Sequence, residues 1–275
     1  MARWEPDLLL LTMRFHSSFL HGLQAYRQYH PNVLIALALD DLDAGAGFSP
    51  RFRLAFLQDA ASAVDRVLVP TEALCDLVSG FCEDVRLIPD VLDETLWGKL
   101  KSMHGVGVKP RVGWGGDGRD HEDLLLLGDT ILETAGEIDW VVLGDCPESL
   151  KPYLAECHAF ELDGDNYPAM LASLNLDIAV LPKASTLINE VASPRRVLEF
   201  GILGIPAVCS ALGELCRFQA PVVRIEDAAQ WHYVLLELAR DSQARMQAGS
   251  ALQAWVRENA MLGERLPSWQ WAVSP

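Results

Sequence analysis

Short apolar runs alternate with amphipathic segments along the whole chain, a rhythm that predicts parallel sheets covered by helices. In the first half the runs fall near 7–13 (DLLLLTM), 33–39 (VLIALAL), 66–70 (RVLVP) and 85–89 (VRLIP). Each has strand length, and each is apolar on successive residues, as a strand buried on both faces must be. Helices fit between them at 24–30, 52–64 and 71–80, the last opened by Thr71 as N-cap and Glu72 as first-turn acid. Residues 90–110 break the rhythm with charged and glycine-valine steps and read as a linker. Strands then resume at 111–114, 139–143, 158–162, 176–182, 205–209 and 221–225. Helices are expected over 121–135, 147–156, 167–174 and 194–203, followed by a long pair over 228–260. The expectation is an α/β protein of two doubly wound, Rossmann-like parallel-sheet lobes facing a cleft, residues 1–108 and 109–275. The first lobe, with about four strands, is reduced or truncated.

Composition narrows the partners. Acidic residues outnumber basic ones 38 to 22 and the formal net charge is −16, a field that repels duplex nucleic acid and anionic membrane surfaces. No apolar run is long enough to span a bilayer, and the first six residues, MARWEP, precede no apolar signal region, so a cytoplasmic protein is expected. The six cysteines (75, 82, 146, 157, 209 and 216) form no Cys-x-x-Cys pair and read as reduced small hydrophobes.

The densest chemistry lies in Ser193-Pro194-Arg195-Arg196-Val197-Leu198-Glu199. Ser193 suits an N-cap and Pro194 the first helical position. Free N–H groups of that turn favour an anion, and Arg195 and Arg196 add charges that fork onto phosphate oxygens. Two cations at a helix start are otherwise unfavourable. Glu199 follows at a spacing suited to accepting hydrogen bonds from ligand hydroxyls, so the set suits a nucleotide or nucleotide sugar. The plain alternative is a solvated turn in which Glu199 pairs with Arg195 or Arg196.

Other patterns are weaker. Gly113-Trp114-Gly115-Gly116-Asp117-Gly118 matches a dinucleotide fingerprint, with Asp145 as ribose partner, but it uses up the strand itself and leads into Arg119-Asp120-His121. A loop that lets backbone approach a donor sugar or phosphate is the better reading, with a tight turn as the alternative. His121 opens the next helix, where a phosphate contact or an exposed cap position both fit. Asp40-Asp41-Leu42-Asp43 and Asp163-Gly164-Asp165 read as loop caps, and no metal is assigned. Tyr167 and Trp231 read as cap or core residues, and no acyl-transfer triad or nucleophile elbow is present.

The second lobe resembles the C-terminal half of family 4 type glycosyltransferases, which have the two-domain arrangement called GT-B. The likeness runs through Arg111 to Gly116, His121 to Leu124, Val141 to Gly144 and Tyr167 to Leu171, and is strongest over Leu176 to Pro182 and Asn189 to Ser210. In the first lobe, Ala63 to Thr71 and Leu87 to Asp93 are similar to the segments leading into the interdomain linker of such enzymes. The resemblance implies a nucleotide-sugar donor, UDP- or GDP-linked, used as substrate without a further cofactor or metal. It also implies retention of anomeric configuration. Arg196, Ser193, Arg195 and Arg119 would hold the diphosphate, Glu199 the ribose, and Phe160 and Asp165 the base. His121 and the loop from Gly115 and Gly116 to Gly118 would border the sugar. Of these, Arg196, Glu199 and His121 are the catalytic candidates. The acceptor, whether glycan, lipid-linked or protein, is not implied, and the chain is compatible with being part of a larger protein or complex.

The sequence departs from the family at three points. Relatives often carry a lysine near Ala192, Val191 stands where the first of two paired glutamates belongs with Glu190 one residue out of register, and the first lobe is short. These departures favour the alternative of a non-catalytic nucleotide-binding or scaffolding module with a degenerate GT-B fold.

Overall fold

A computed structural model describes residues 6–13, 16–40, 42, 49–116, 120–159 and 166–274. The chain runs β1 (Leu8–Thr12), α1 (Ser17–Tyr29), β2 (Leu34–Ala38), α2 (Pro50–Ser62), β3 (Arg66–Val69), α3 (Glu72–Val78) and β4 (Val85–Leu87). It continues through α4 (Glu94–Trp97), β5 (Arg111–Gly116), α5 (His121–Leu125), α6 (Gly128–Thr134), β6 (Asp139–Gly144), β7 (Glu156–His158), α7 (Tyr167–Ser173), β8 (Ile178–Leu181) and α8 (Leu187–Val191). The remainder is α9 (Arg195–Ile202), β9 (Ala207–Ser210), α10 (Glu214–Arg217), β10 (Val223–Ile225), α11 (Gln230–Arg240), α12 (Ser242–Asn259) and α13 (Leu262–Val273).

Two parallel sheets result, one of four strands in the order β1-β2-β3-β4 and one of six in the order β10-β9-β8-β5-β6-β7. The chain divides into two compact units: residues 1–90, 186–193 and 265–275, and residues 91–185 and 194–264. This differs from a single division at 108. The stretch 91–108 groups with the second sheet, while α8 and most of α13 group with the first.

The first unit shows why. Its strands advance in one direction, so right-handed crossovers put α1, α2 and α3 on one face. There Leu37, Val67 and Val69 pack with Phe56, Leu57, Leu74 and Val78, and Val191 of α8 joins the same core. Thr71 caps α3 by accepting from the Leu74 N–H at 3.1 Å and donates to the Val191 carbonyl at 3.0 Å. On the other face Leu68 and Ile88 pack against Ala272 of α13. Arg66, 3 % exposed, donates to Asp84 at 2.7 Å and to the carbonyls of Ala272 and Ser274 at 3.0 and 2.6 Å. A cation on the carbonyls at a helix C-terminus is favoured by the helix dipole as well as by the hydrogen bonds.

The second sheet starts at its centre. From β5 the chain adds β6 and β7 on one side, then returns to add β8, β9 and β10 on the other. Right-handed crossovers in opposite directions place helices on opposite faces. Val141, Leu143, Ala179 and Ala207 face α7, α9 and α12, while Trp140, Val142, Ile178 and Val208 face α5, α6 and α11. The single predicted helix 121–135 is two short helices parted near Gly128. The helix expected over 147–156 is only a 3₁₀ turn at Lys151–Tyr153, because Pro152 has no N–H to continue it. That frees Glu156 to pair with Val141, so β7 begins two residues before the expected 158.

Two predictions follow from this packing. Trp140 Nε1 donates to Thr134 Oγ1 at 2.9 Å, both residues being essentially inaccessible to water. Thr134→Val keeps the shape but orphans the indole N–H, and should lower unfolding free energy in urea by about 1–3 kcal/mol. The second concerns Glu156, which Arg111 at 2.8 Å, and then His158, hold down to about 2. A depressed carboxylate stabilises the fold above its ordinary value and loses that contribution as pH falls through the folded value. The stability difference between wild type and Glu156→Gln should therefore be present at neutral pH and close as pH is lowered toward about 2.

Candidate functional site

Strand order reverses between β5 and β8, and in open parallel sheets the carboxyl ends of the strands at such a reversal form the binding notch. Among the described candidate residues, Gly115 and Gly116 end β5, His121 opens the helix after it, and Arg195, Arg196 and Glu199 lie on α9. Gly113, Gly115 and Gly116 lie within β5, so these glycines belong to a strand and not to a phosphate-gripping turn. Their smallness serves close approach. A Cβ on Gly115 would stand 3.1 Å from Arg196 Nη1, and one on Gly144, whose φ is +122°, would stand 1.8 Å from the Gly116 carbonyl oxygen. Gly116 O also accepts from the Asp145 N–H at 3.1 Å, so the ends of β5 and β6 meet directly.

Helix α9 begins one residue later than expected. Pro194 occupies the cap position with φ −77° and ψ 19°, and no side chain caps the first turn. Ser193 is not the cap: its hydroxyl donates to Asp90 within the first unit, where a carboxylate is the stronger acceptor. The first turn therefore carries two arginines, no acid and no side-chain cap.

The two arginines have different surroundings. Arg195 is more than half exposed and donates from Nε to Glu199 Oε1 at 3.1 Å, the pairing that the plain reading anticipated. Arg196 is half-buried, with its Nη1 near Gly115 and no hydrogen bond or ion pair among the described residues. Glu199, 5 % exposed, also accepts from the Tyr167 hydroxyl at 2.9 Å. Burial, reinforced by the Glu199 charge, pushes the Tyr167 phenol well above its ordinary value, so the hydroxyl keeps its proton and donates. Tyr167 is held from behind by the edge of Trp97, 6.1 Å away between ring centroids.

His121 opens α5 with Nε2 3.5 Å from Asp145 Oδ2, an ion pair when the imidazole is protonated. Arg119, Phe160 and Asp165 lie outside the described residues, as do Asp117, Gly118 and the Asp163-Gly164 pair.

A further cation stands at the same strand ends. Lys183, directly after β8, places Nζ 2.9 Å from Asp123 Oδ2 and 4.0 Å from Asp120 Oδ1. Asp123, 4 % exposed, also accepts from the Ala184 N–H at 2.7 Å. This ties the start of α5 to the loop after β8 across the notch. The signal was a lysine immediately after the buried run Ile178 to Leu181, at a strand's carboxyl end, nine residues before the place where a cation was sought. The departure at Val191 has a local cause, since its side chain is 4 % exposed in the first unit's core. Among the described residues no group of three or more histidine, cysteine or acidic side chains is arranged to hold a metal, and no helix is long and apolar enough to cross a membrane.

Comparison with known proteins identifies the architecture. No family model matches the chain and no curated protein matches it in sequence. Among solved structures, sucrose-phosphate synthase from Thermosynechococcus elongatus superposes with a TM-score of 0.72 at 14% identity, over 98% of this chain and 74% of that one. The fold is that of GT-B glycosyltransferases. Anabaena HepE in complex with UDP matches with a TM-score of 0.69 at 14% identity, over 97% of this chain and 77% of that one. The lipopolysaccharide outer core galactosyltransferase WaaB matches with a TM-score of 0.65 at 10% identity, over 98% of this chain and 75% of that one.

The Asp123 bridge gives a direct check of the notch. Asp123→Ala removes the acceptor of the Ala184 N–H and the counter-charge of Lys183. It should cost about 1–3 kcal/mol in urea unfolding, while Glu122→Ala on the same helix should be near neutral.

Proposed function

We propose that this protein is a glycosyltransferase moving a sugar from a nucleoside-diphosphate-sugar donor, UDP- or GDP-linked, to an acceptor. The observation that carries this reading is Arg196: a half-buried guanidinium with no partner among the described residues, at an uncapped helix start beside the glycine end of β5. A cation left unpaired there is offset when an anion binds. Arg196, with Arg195 and Arg119, holds the donor diphosphate and stabilises the charge that develops as it departs. Glu199 takes the ribose hydroxyls, exchanging its bonds with Tyr167 and Arg195 for bonds to the ligand. His121 and Gly115 border the sugar, and Phe160 and Asp165 lie in the segment assigned to the base. With basic side chains offsetting the leaving diphosphate, no bound metal is required, and the resemblance to family 4 type enzymes supports retention at the anomeric carbon. HepE has been solved with UDP-glucose, and the catalytic domain of a starch synthase with ADP and acarbose, which supports a donor of this class.

A second reading, a nucleotide-binding or scaffolding module without turnover, is favoured by one observation. Both Glu199 oxygens are already engaged by protein groups. A panel of UDP-, GDP-, ADP- and CMP-sugars, followed by calorimetry and by slow donor hydrolysis, separates the two. Turnover that is unchanged by EDTA and retains the anomer supports the transferase, whereas binding without hydrolysis supports the module. Arg196→Ala should weaken nucleoside diphosphate binding by at least about tenfold, the loss of a charge-assisted contact of about 1.5–3 kcal/mol. Unchanged affinity would sink both readings.

A further inference from the structure

A cavity opens at the opposite end of the same sheet from Arg196, beside the residues that lead into β8 and β9. It measures about 640 Å³, within the range of small-molecule sites. Its wall is basic, although the chain as a whole is strongly acidic. Lys99 and Lys101 line it from the stretch after α4, and Arg245 and Arg257 line it from α12. Arg245 is partly committed, donating from Nη1 to the carbonyls of Leu238 and Ala239 at the end of α11. Lys99, Lys101 and Arg257 have no ion pair or hydrogen bond among the described residues. The acidic residue on the lining, Asp177, has its carboxylate taken by the Gly105 and Arg111 N–H groups at 2.7 and 2.9 Å.

Two polar features suit a hydroxylated ligand. Ser102 Oγ is shielded from solvent and has no hydrogen-bond partner among the described residues. His104 holds the Leu176 carbonyl through Nδ1 at 2.9 Å, which assigns the hydrogen to that nitrogen and leaves Nε2 to accept. The lining is apolar at Leu203, Pro206 and Met246.

From this combination we infer a binding site for a small sugar bearing two phosphates, its anionic ends held between the Lys99–Lys101 stretch and the Arg257 face of α12. Cations on two separate walls match two anionic groups better than one. The His104 ring nitrogen and the unsatisfied Ser102 hydroxyl match a polyol body, and an uncommitted cluster of cations is stabilised by a bound anion. The site is separate from the notch. Arg196 stands at the start of α9, and Leu203 and Gly204 on the cavity wall follow its end. The inference does not depend on donor chemistry at the notch.

Calorimetry of the full chain with fructose 1,6-bisphosphate at low salt tests it. Saturable binding is expected, weakened at least about tenfold in the double variant Lys101→Glu/Arg257→Glu and retained in Arg196→Ala. Both reversed positions are exposed, and Lys101→Gln/Arg257→Gln serves if charge reversal impairs folding. The inference fails if wild type shows no saturation up to about 10 mM, if both double variants bind as wild type does, or if Arg196→Ala abolishes binding. It fails equally if inorganic phosphate binds as tightly as the bisphosphate, since the sugar body and second phosphate would then contribute nothing.

Discussion

Everything at the notch depends on a reversal of direction in the second sheet. The chain lays down β5, β6 and β7 outward to one side and then returns to place β8 against the free edge of β5. Because crossovers are right-handed, the helices that follow β5 and β8 pack on opposite faces of the sheet, and the Asp123 bridge to Lys183 and Ala184 spans the carboxyl ends of the two strands. The glycine end of β5 deepens the notch, and α9, which follows β8, aims its uncapped start with Arg196 beside it. Had β8 been added beyond β7, the same residues would have been dispersed along one edge.

Electrostatics then differentiates three neighbouring cations. Lys183 is used structurally, since two carboxylates on one turn of α5 compensate it and the buried Asp123 also closes on a backbone N–H. Arg195 is a surface partner of Glu199, a pairing of modest worth for an exposed side chain. Arg196 alone is half-buried without compensation among the described residues. In a low-dielectric setting an uncompensated charge is costly until a ligand arrives, so position within the notch distinguishes residues that a composition count treats as equal.

Strands such as β3 and β8 were legible because burial on both faces leaves a plain apolar run, and β5 is extended to Gly116 by its pairing with β6; β7, a half-exposed Glu-Cys-His edge strand, meets its expected range only at His158. Less legible were features decided by tertiary partners. The expected helices stopped at 260, yet α13 forms over Leu262–Val273 despite Pro267, its far end fixed by Arg66 and packed on Leu68. The fate of Ser193 turned on Asp90, 103 residues away in sequence, which no local pattern reveals. Glu199 was identified with both of its possible uses, ligand and ion pair, and geometry added a third partner in Tyr167. Lys183 carries no local pattern of its own: only the topology, which sets the end of β8 beside α5, brings it to Asp123.

The return of residues 265–275 to the first unit has a consequence for how the protein is made. On a ribosome, the four-stranded sheet emerges with three of its helices and can begin to collapse at once. Leu68 and Ile88, however, face water, and the guanidinium of Arg66 lacks the carbonyls of Ala272 and Ser274, until the entire six-stranded unit has been synthesised. Residues 1–90 are thus completed only by residues 265–275, after the intervening six-stranded unit has been synthesised.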